Sequence, residues 1–209
     1  MDLFSRNVLL TGSPAAYMAY ATEMRAYVSD KLDQEIALWS VGFGAPRGAM
    51  TYTARVDGLA GVQAMNATLA GDADYMAKLA TGATMGGGPA QDTLMQPLHG
   101  EMGDPPPVGS VATVTTAVVG NGAYADAIGW GIEMAQLVES IAGTPTIFGM
   151  SAFGTFGQVV WSNVAADAAA ADASGQAVNA NADYMGRLSA IGGLFVPASG
   201  HRSLAMRLA

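Results

Sequence analysis

The chain contains no cysteine, which excludes disulfides, thiolate nucleophiles and zinc ribbons and fits a reducing cytoplasm. Histidine is almost as scarce, with only His99 and His201. The metal-capable run His99-Gly100-Glu101 with Asp104 has no second histidine in its half of the chain to complete a transition-metal site, so no metal is expected. Lysine occurs twice, at Lys31 and Lys78, and charged residues make up 12% of the chain, about half the share usual for a soluble domain. The net charge of -8, from nine basic and 17 acidic residues, excludes the clustered cations that phosphate neutralisation requires, so no nucleic-acid partner is expected. The first residues, Met1-Asp2-Leu3-Phe4-Ser5-Arg6, have no basic stretch followed by an apolar core, so no secretory signal is expected. The uncharged run from Pro105 to Ala125 opens with a proline triplet and continues in alternating branched residues, a linker and strand rather than a membrane span. What remains is 51% hydrophobic over 209 residues, enough for a substantial core and for a surface that is largely covered.

The chain also repeats itself. Phe43-Gly44, Asp74-Tyr75-Met76 and Pro97 recur in order as Phe153-Gly154, Asp183-Tyr184-Met185 and Pro197. Glu23-Met24 matches Glu133-Met134 at an offset of 110, and from Gly48 and Gly157 onward the offset is 109, which places a one-residue difference in the turn around Pro46. Leu79 and Leu94 enclose 14 residues whereas Leu188 and Leu194 enclose 5, implying an insertion of about nine residues around Met85-Gly86-Gly87-Gly88-Pro89. Asp104-Pro105-Pro106-Pro107 supplies a stiff connector, dividing the chain into a first unit at 1–100, a Pro-rich linker at 101–110 and a second unit at 111–209.

Each unit carries the same series of elements. Asn7 to Leu10 reads as a strand, and Ser13-Pro14 starts a helix, with a capping hydroxyl and a proline at the first helical position, that runs to about Leu32. Ala37 to Gly44 and Ala49 to Val56 form a hairpin, and a second helix from Leu59 breaks at Gly71 and restarts at Asp72-Ala73-Asp74, where Asp74 and its counterpart Asp183 suit a cap. Leu94 to His99 closes the unit. The second unit repeats this with Val111 to Val119, Tyr124 to Ile141, Thr146 to Phe153, Gln158 to Val164, an Ala-rich helix and a last strand at Gly193 to Pro197. The fold class is α+β: two tandem ferredoxin-like βαββαβ repeats. Each sheet is covered by helices on one face, so the two bare apolar faces pack on each other or on another chain.

The doubled element order, with Gly71-Asp72-Ala73-Asp74-Tyr75-Met76 and Asn181-Ala182-Asp183-Tyr184-Met185 in the second helices, resembles the dimeric α/β-barrel superfamily. That group includes antibiotic-biosynthesis monooxygenases, NIPSNAP proteins, haem-degrading monooxygenases and, more remotely, chlorite dismutase-like proteins. The resemblance implies that the antiparallel sheets pack into one α/β barrel, with ligands between each sheet and its helices. It implies a small-molecule enzyme or binding protein akin to the cofactor-independent monooxygenases, acting without a cofactor on an apolar or aromatic metabolite. Two other functions stay open: a non-catalytic interaction protein assembling through apolar surfaces, as a homo-oligomer or with another partner, and a haem protein with His99 or His201 as ligand. The haem-degrading members use Asn, Trp and His together; Asn7 lies in the first strand, but no tryptophan stands in the second helix.

Candidate site residues follow from position. Glu23 and Glu133 occupy the same point mid-helix beside the apolar stripe, where desolvation would suit a base, although each also reads as a structural acid bonded to backbone or to an arginine such as Arg25 or Arg55. His99, at the end of the first unit with Ser199 in the equivalent place, and Tyr52 complete the catalytic candidates. Trp39, Arg47, Tyr20, Trp130, Trp161 and His201 are candidates for holding a planar ligand, with Trp39 aligned on Gly149, Tyr20 on Trp130, Tyr52 on Trp161 and Arg47 on Phe156. These substitutions between otherwise matching halves imply two pockets in unequal use.

Overall fold

A computed structural model describes residues 1–209. The first half contains β1 (Asp2–Leu9), α1 (Pro14–Leu32), β2 (Ile36–Phe43), β3 (Ala49–Val56), α2 (Gly58–Ala70), α3 (Ala73–Ala83) and β4 (Gln91–His99). The second contains β5 (Val111–Val118), α4 (Tyr124–Ala142), β6 (Thr146–Phe153), β7 (Gln158–Ala165), α5 (Ala168–Ala180), α6 (Ala182–Ser189) and β8 (His201–Arg207). All strand pairs are antiparallel, and the order β1-β3-β2-β8-β5-β7-β6-β4 closes on itself. Two four-stranded ferredoxin-like sheets are thus joined at two seams, β2 with β8 and β4 with β6, and the barrel leaves no free sheet edge.

The closed barrel solves the problem of the two bare faces. Alternation along β2 sends Leu38 toward α1, where it packs on Tyr17 and Ala21, and sends Ala37, Trp39 and Val41 inward. Inside they meet Val114 and Ala112 of β5, Val164 of β7 and Ala205 of β8, so the interior is filled by side chains of both halves. Outside each sheet, helices cover a second apolar layer, centred on Phe4, Ile36 and Leu94 in the first half and on Phe148, Ala135 and Val159 in the second.

Several boundaries differ from the sequence reading. β1 starts at Asp2 rather than Asn7, because Phe4 and Val8 lie on the helix side with Arg6 between them, an alternation that a charged residue obscures. Ser13 has extended backbone geometry before Pro14, but its hydroxyl makes no capping bond. The carboxylate that caps α3 is Asp72, accepting from the Tyr75 amide at 2.8 Å, and Asn181 does the same for α6 toward Tyr184 at 2.9 Å; Asp74 and Asp183 lie inside the first turn.

The largest correction concerns the last strand of the second half. Gly193 to Pro197 is a loop: Val119 bridges Phe195 as Leu10 bridges Gly86, an offset of 109 in both partners, and the pairing strand is His201–Arg207. Leu94 pairs with Phe4 as Leu204 pairs with Thr113, so the offset there is 110 and the two halves differ by one residue between these points. The nine-residue insertion therefore does not exist, and the residue equivalent to His99 is Ala209, not Ser199. The error has a physical origin. The apolar run Leu194-Phe195-Val196 reads as a strand but packs Leu194 and Phe195 into the cluster beneath α4, whereas β8, His-Arg-Ser-Leu-Ala-Met-Arg, hides a strand in polar residues. The one-residue difference at the hairpin is observed, with five residues between β2 and β3 (44–48) and four between β6 and β7 (154–157).

Candidate functional site

Between each sheet and its helices lies a cavity, of about 260 Å³ in the first half and about 290 Å³ in the second. Their walls correspond position by position. Tyr20, Met24, Tyr52, Leu69, Tyr75 and Leu79 in the first match Trp130, Met134, Trp161, Val178, Tyr184 and Leu188 in the second. No histidine, aspartate or glutamate lines either one.

Tyr52 and Trp161 are anchored identically. The Tyr52 hydroxyl donates to the Ala21 carbonyl at 3.3 Å, and the Trp161 indole N–H donates to the Gly131 carbonyl, its equivalent, at 2.9 Å. Burial pushes the Tyr52 phenol well above its ordinary range, with Tyr20 and Tyr75 adding to the shift, so it remains a protonated donor. Tyr20 is raised for the same first reason, and its hydroxyl donates to the Lys78 carbonyl at 3.2 Å. In the second cavity Trp130, Trp161 and Phe195 form a mutual edge-to-face cluster with centroid separations of 6.0, 5.6 and 5.9 Å.

The polar floors differ. Arg6 of the first cavity forms a bidentate pair with Asp92 across the β1–β4 ladder, Nε to Oδ1 at 2.8 Å and Nη2 to Oδ2 at 2.7 Å, and also reaches the Tyr75 hydroxyl at 3.5 Å. The hydrogen bonds to Asp92 chiefly hold Arg6 protonated. In the second cavity, Phe4, Arg6, Ile36 and Ala54 are replaced by Thr113, Thr115, Thr146 and Asn163, and Asp92 by Arg202. Arg6 escapes the sequence reading because β1 begins at Asp2, five residues before the expected Asn7. Arg202 escapes it because the last strand is expected too early.

Of the expected site residues, Tyr20, Tyr52, Trp130 and Trp161 line the cavities. Glu23 and Glu133 do not. Their side chains are 67% and 64% exposed and pair with Lys78 and Arg187, which occupy equivalent positions on α3 and α6; the repeated glutamate ties α1 to α3 and α4 to α6. Solvent exposure removes the desolvation that a base there required. His99 lies at the β4–β6 seam beside α4, its Nε2 3.7 Å from Glu139 Oε2, buried and without a hydrogen-bond partner. His201 begins β8 on the face opposite Arg202, and Arg47 is exposed in the β2–β3 turn. Trp39 points into the barrel interior, donating to Thr53 Oγ1 at 3.1 Å, and its equivalent Gly149 has no room for a side chain because a Cβ there would lie 2.6 Å from the Gln96 carbonyl. Asn7, on the strand face opposite Arg6, accepts from the Thr51 hydroxyl at 2.7 Å.

No protein-family model matches the chain, and no curated protein matches it. Solved structures do. The whole chain superposes on a candidate monooxygenase from Fusobacterium nucleatum subsp. nucleatum, covering 92% of that chain at 10% identity with a TM-score of 0.68. An anthrone oxidase-like protein is matched over the same shares of both chains, at 12% identity and a TM-score of 0.66. The chain shares the closed α/β-barrel fold of these structures. A haem-binding protein from Thermus thermophilus shares the barrel, at 11% identity, full coverage of this chain, 91% coverage of that one and a TM-score of 0.55. Neither cavity presents an imidazole, so a histidine-ligated haem does not fit the residues lining either one. No helix is long and apolar enough to cross a membrane.

Proposed function

We propose that the protein holds a small planar, largely apolar metabolite between sheet and helices, in the manner of the cofactor-independent monooxygenases. The observation that carries this reading is the pair of wall-matched cavities, each floored by a sheet and roofed by three helices, with aromatic side chains fixed by hydrogen bonds to a helix backbone. Tyr52 and Trp161 present flat surfaces at little conformational cost, because each is already anchored.

The same residues limit the chemistry. With no imidazole or carboxylate on either wall, proton abstraction falls to the substrate's own acidity, and a compound that ionises readily and then reacts with oxygen is the substrate class that suits the site. Anthrone is such a compound, and one anthrone with one O₂ gives one anthraquinone and one water. The test is incubation of purified protein with anthrone in air, following anthraquinone absorbance and oxygen uptake, alongside binding by quenching of tryptophan emission. Saturable quenching with faster anthraquinone formation than in buffer supports the reading; the absence of saturable binding refutes it. Trp161→Ala should weaken anthrone binding about tenfold, the scale expected for losing a buried aromatic contact.

A further inference from the structure

Arg202 is the only charged residue lining the second cavity, and no carboxylate lies within ion-pair distance of it. The first cavity shows what such an arginine has when it is neutralised. At the same cross-strand position, Arg6 faces Asp92 and is held by two short hydrogen bonds; here the pair is Thr115 and Arg202. The acid has been replaced by a base and the base by a hydroxyl, so the second cavity gains, at a solvent-exposed position, a cation with no ion-pair partner in a chain whose net charge is -8.

The surroundings of Arg202 are equipped in the same sense. Asn163 is turned away from this role, since its amide N–H groups are spent on Thr144, Pro145 and Thr146, at 2.7–3.3 Å, so the donors beside the arginine are the threonines. The Thr113 and Thr115 hydroxyls are unpartnered, and His99 Nε2 is the sole buried side-chain polar atom that lacks a partner, so these two cavity-lining donors are accessible rather than sealed. Against them stand the rings of Trp130, Trp161 and Phe195.

We propose that the second cavity is a site for an aromatic carboxylate: Arg202 takes the carboxylate as a forked pair, the threonine hydroxyls donate to it, and the ring system lies against the tryptophans. The first cavity, with its arginine already satisfied by Asp92, takes neutral ligands. This assignment rests on the reading of the cavities as small-molecule sites and specifies the charge that one of them selects.

Calorimetric titration of the full chain with 2-naphthoate and with its neutral shape analogue 2-acetylnaphthalene tests it. Naphthoate should bind with a stoichiometry of one. Arg202→Gln should weaken naphthoate about tenfold or more, the loss expected for a charge-assisted pair, while leaving acetylnaphthalene binding within about twofold, and Arg202→Lys should fall between. Asp92→Asn releases Arg6 and should raise the naphthoate stoichiometry to two. Circular dichroism checks that each variant is folded. Equal naphthoate affinity in wild type and Arg202→Gln overturns the proposal, as does binding of acetylnaphthalene alone, and both results leave the cavity reading standing. If neither compound binds, the cavity reading falls with it.

Discussion

At the scale of single residues, the two halves solve the same local problems with different chemistry, and the differences predict different pH behaviour. Asp72 caps α3, pairs with Lys31 at 2.5 Å and accepts from the Tyr27 hydroxyl at 2.7 Å. The Lys31 bond, then the Tyr75 amide and the Tyr27 hydroxyl, hold its carboxyl well below the usual carboxylate range. A folded-state pKa below the unfolded value of about 3.9 contributes stability that is complete above that value and is lost as pH falls toward the folded one. Acid unfolding followed by circular dichroism should therefore show a loss below about pH 4, reduced in Asp72→Asn, whose cap is the one Asn181 already provides for α6. Tyr27 is the alkaline counterpart, pushed up to about 12 first by its bond to Asp72. Its contribution is complete below the ordinary tyrosine value and lost as pH rises through 12, and ultraviolet titration of wild type against Tyr27→Phe should locate that step. For Tyr52→Phe, loss of the bond to Ala21 should cost about 1 kcal/mol in urea denaturation.

At the scale of elements, close approach of helix and sheet is set by complementary sizes. Ala21 of α1 packs on Leu38 of β2, whereas Gly131 of α4 faces Phe148 of β6, where an added Cβ would lie 2.3 Å from the ring. Gly131→Ala should destabilise by about 1–3 kcal/mol through overpacking, despite the gain of about 0.5–1 kcal/mol from removing a helical glycine. Adding Phe148→Leu should restore most of the loss, since it recreates the first-half pairing; chemical denaturation of the three variants decides. Periodicity and the internal repeat made most elements legible: α1, both hairpins and the break at Gly71 all lie within a few residues of the reading. What failed were strands interrupted by charged residues. Arg6 disguised the start of β1, and Arg202 and Arg207 disguised β8, while Leu194-Phe195-Val196 imitated it. The candidate site was legible through its aromatic residues, because Tyr20, Tyr52, Trp130 and Trp161 break an otherwise regular repeat. The repeated glutamates misled for the opposite reason: a residue kept in both halves records what the architecture requires of both, here a tie between helices.

At the scale of the whole molecule, the two seams close within one chain, and arginines fasten the connector to the barrel. Arg207, buried and paired with Glu35, donates to the Pro106 carbonyl, and Arg55 donates to that of Gly103. Because closure is intramolecular, the tryptophan emission spectrum should be unchanged on dilution from micromolar to nanomolar protein; a spectral shift on dilution would show that a second chain completes the core. Joining the halves in this way has a consequence for inheritance. In a pair of identical chains every substitution strikes both cavities at once, so a change that suits one ligand is imposed twice. Here a codon at position 92 or 202 alters one cavity and spares the other, and a single gene can explore a second ligand while the first chamber is left as it was.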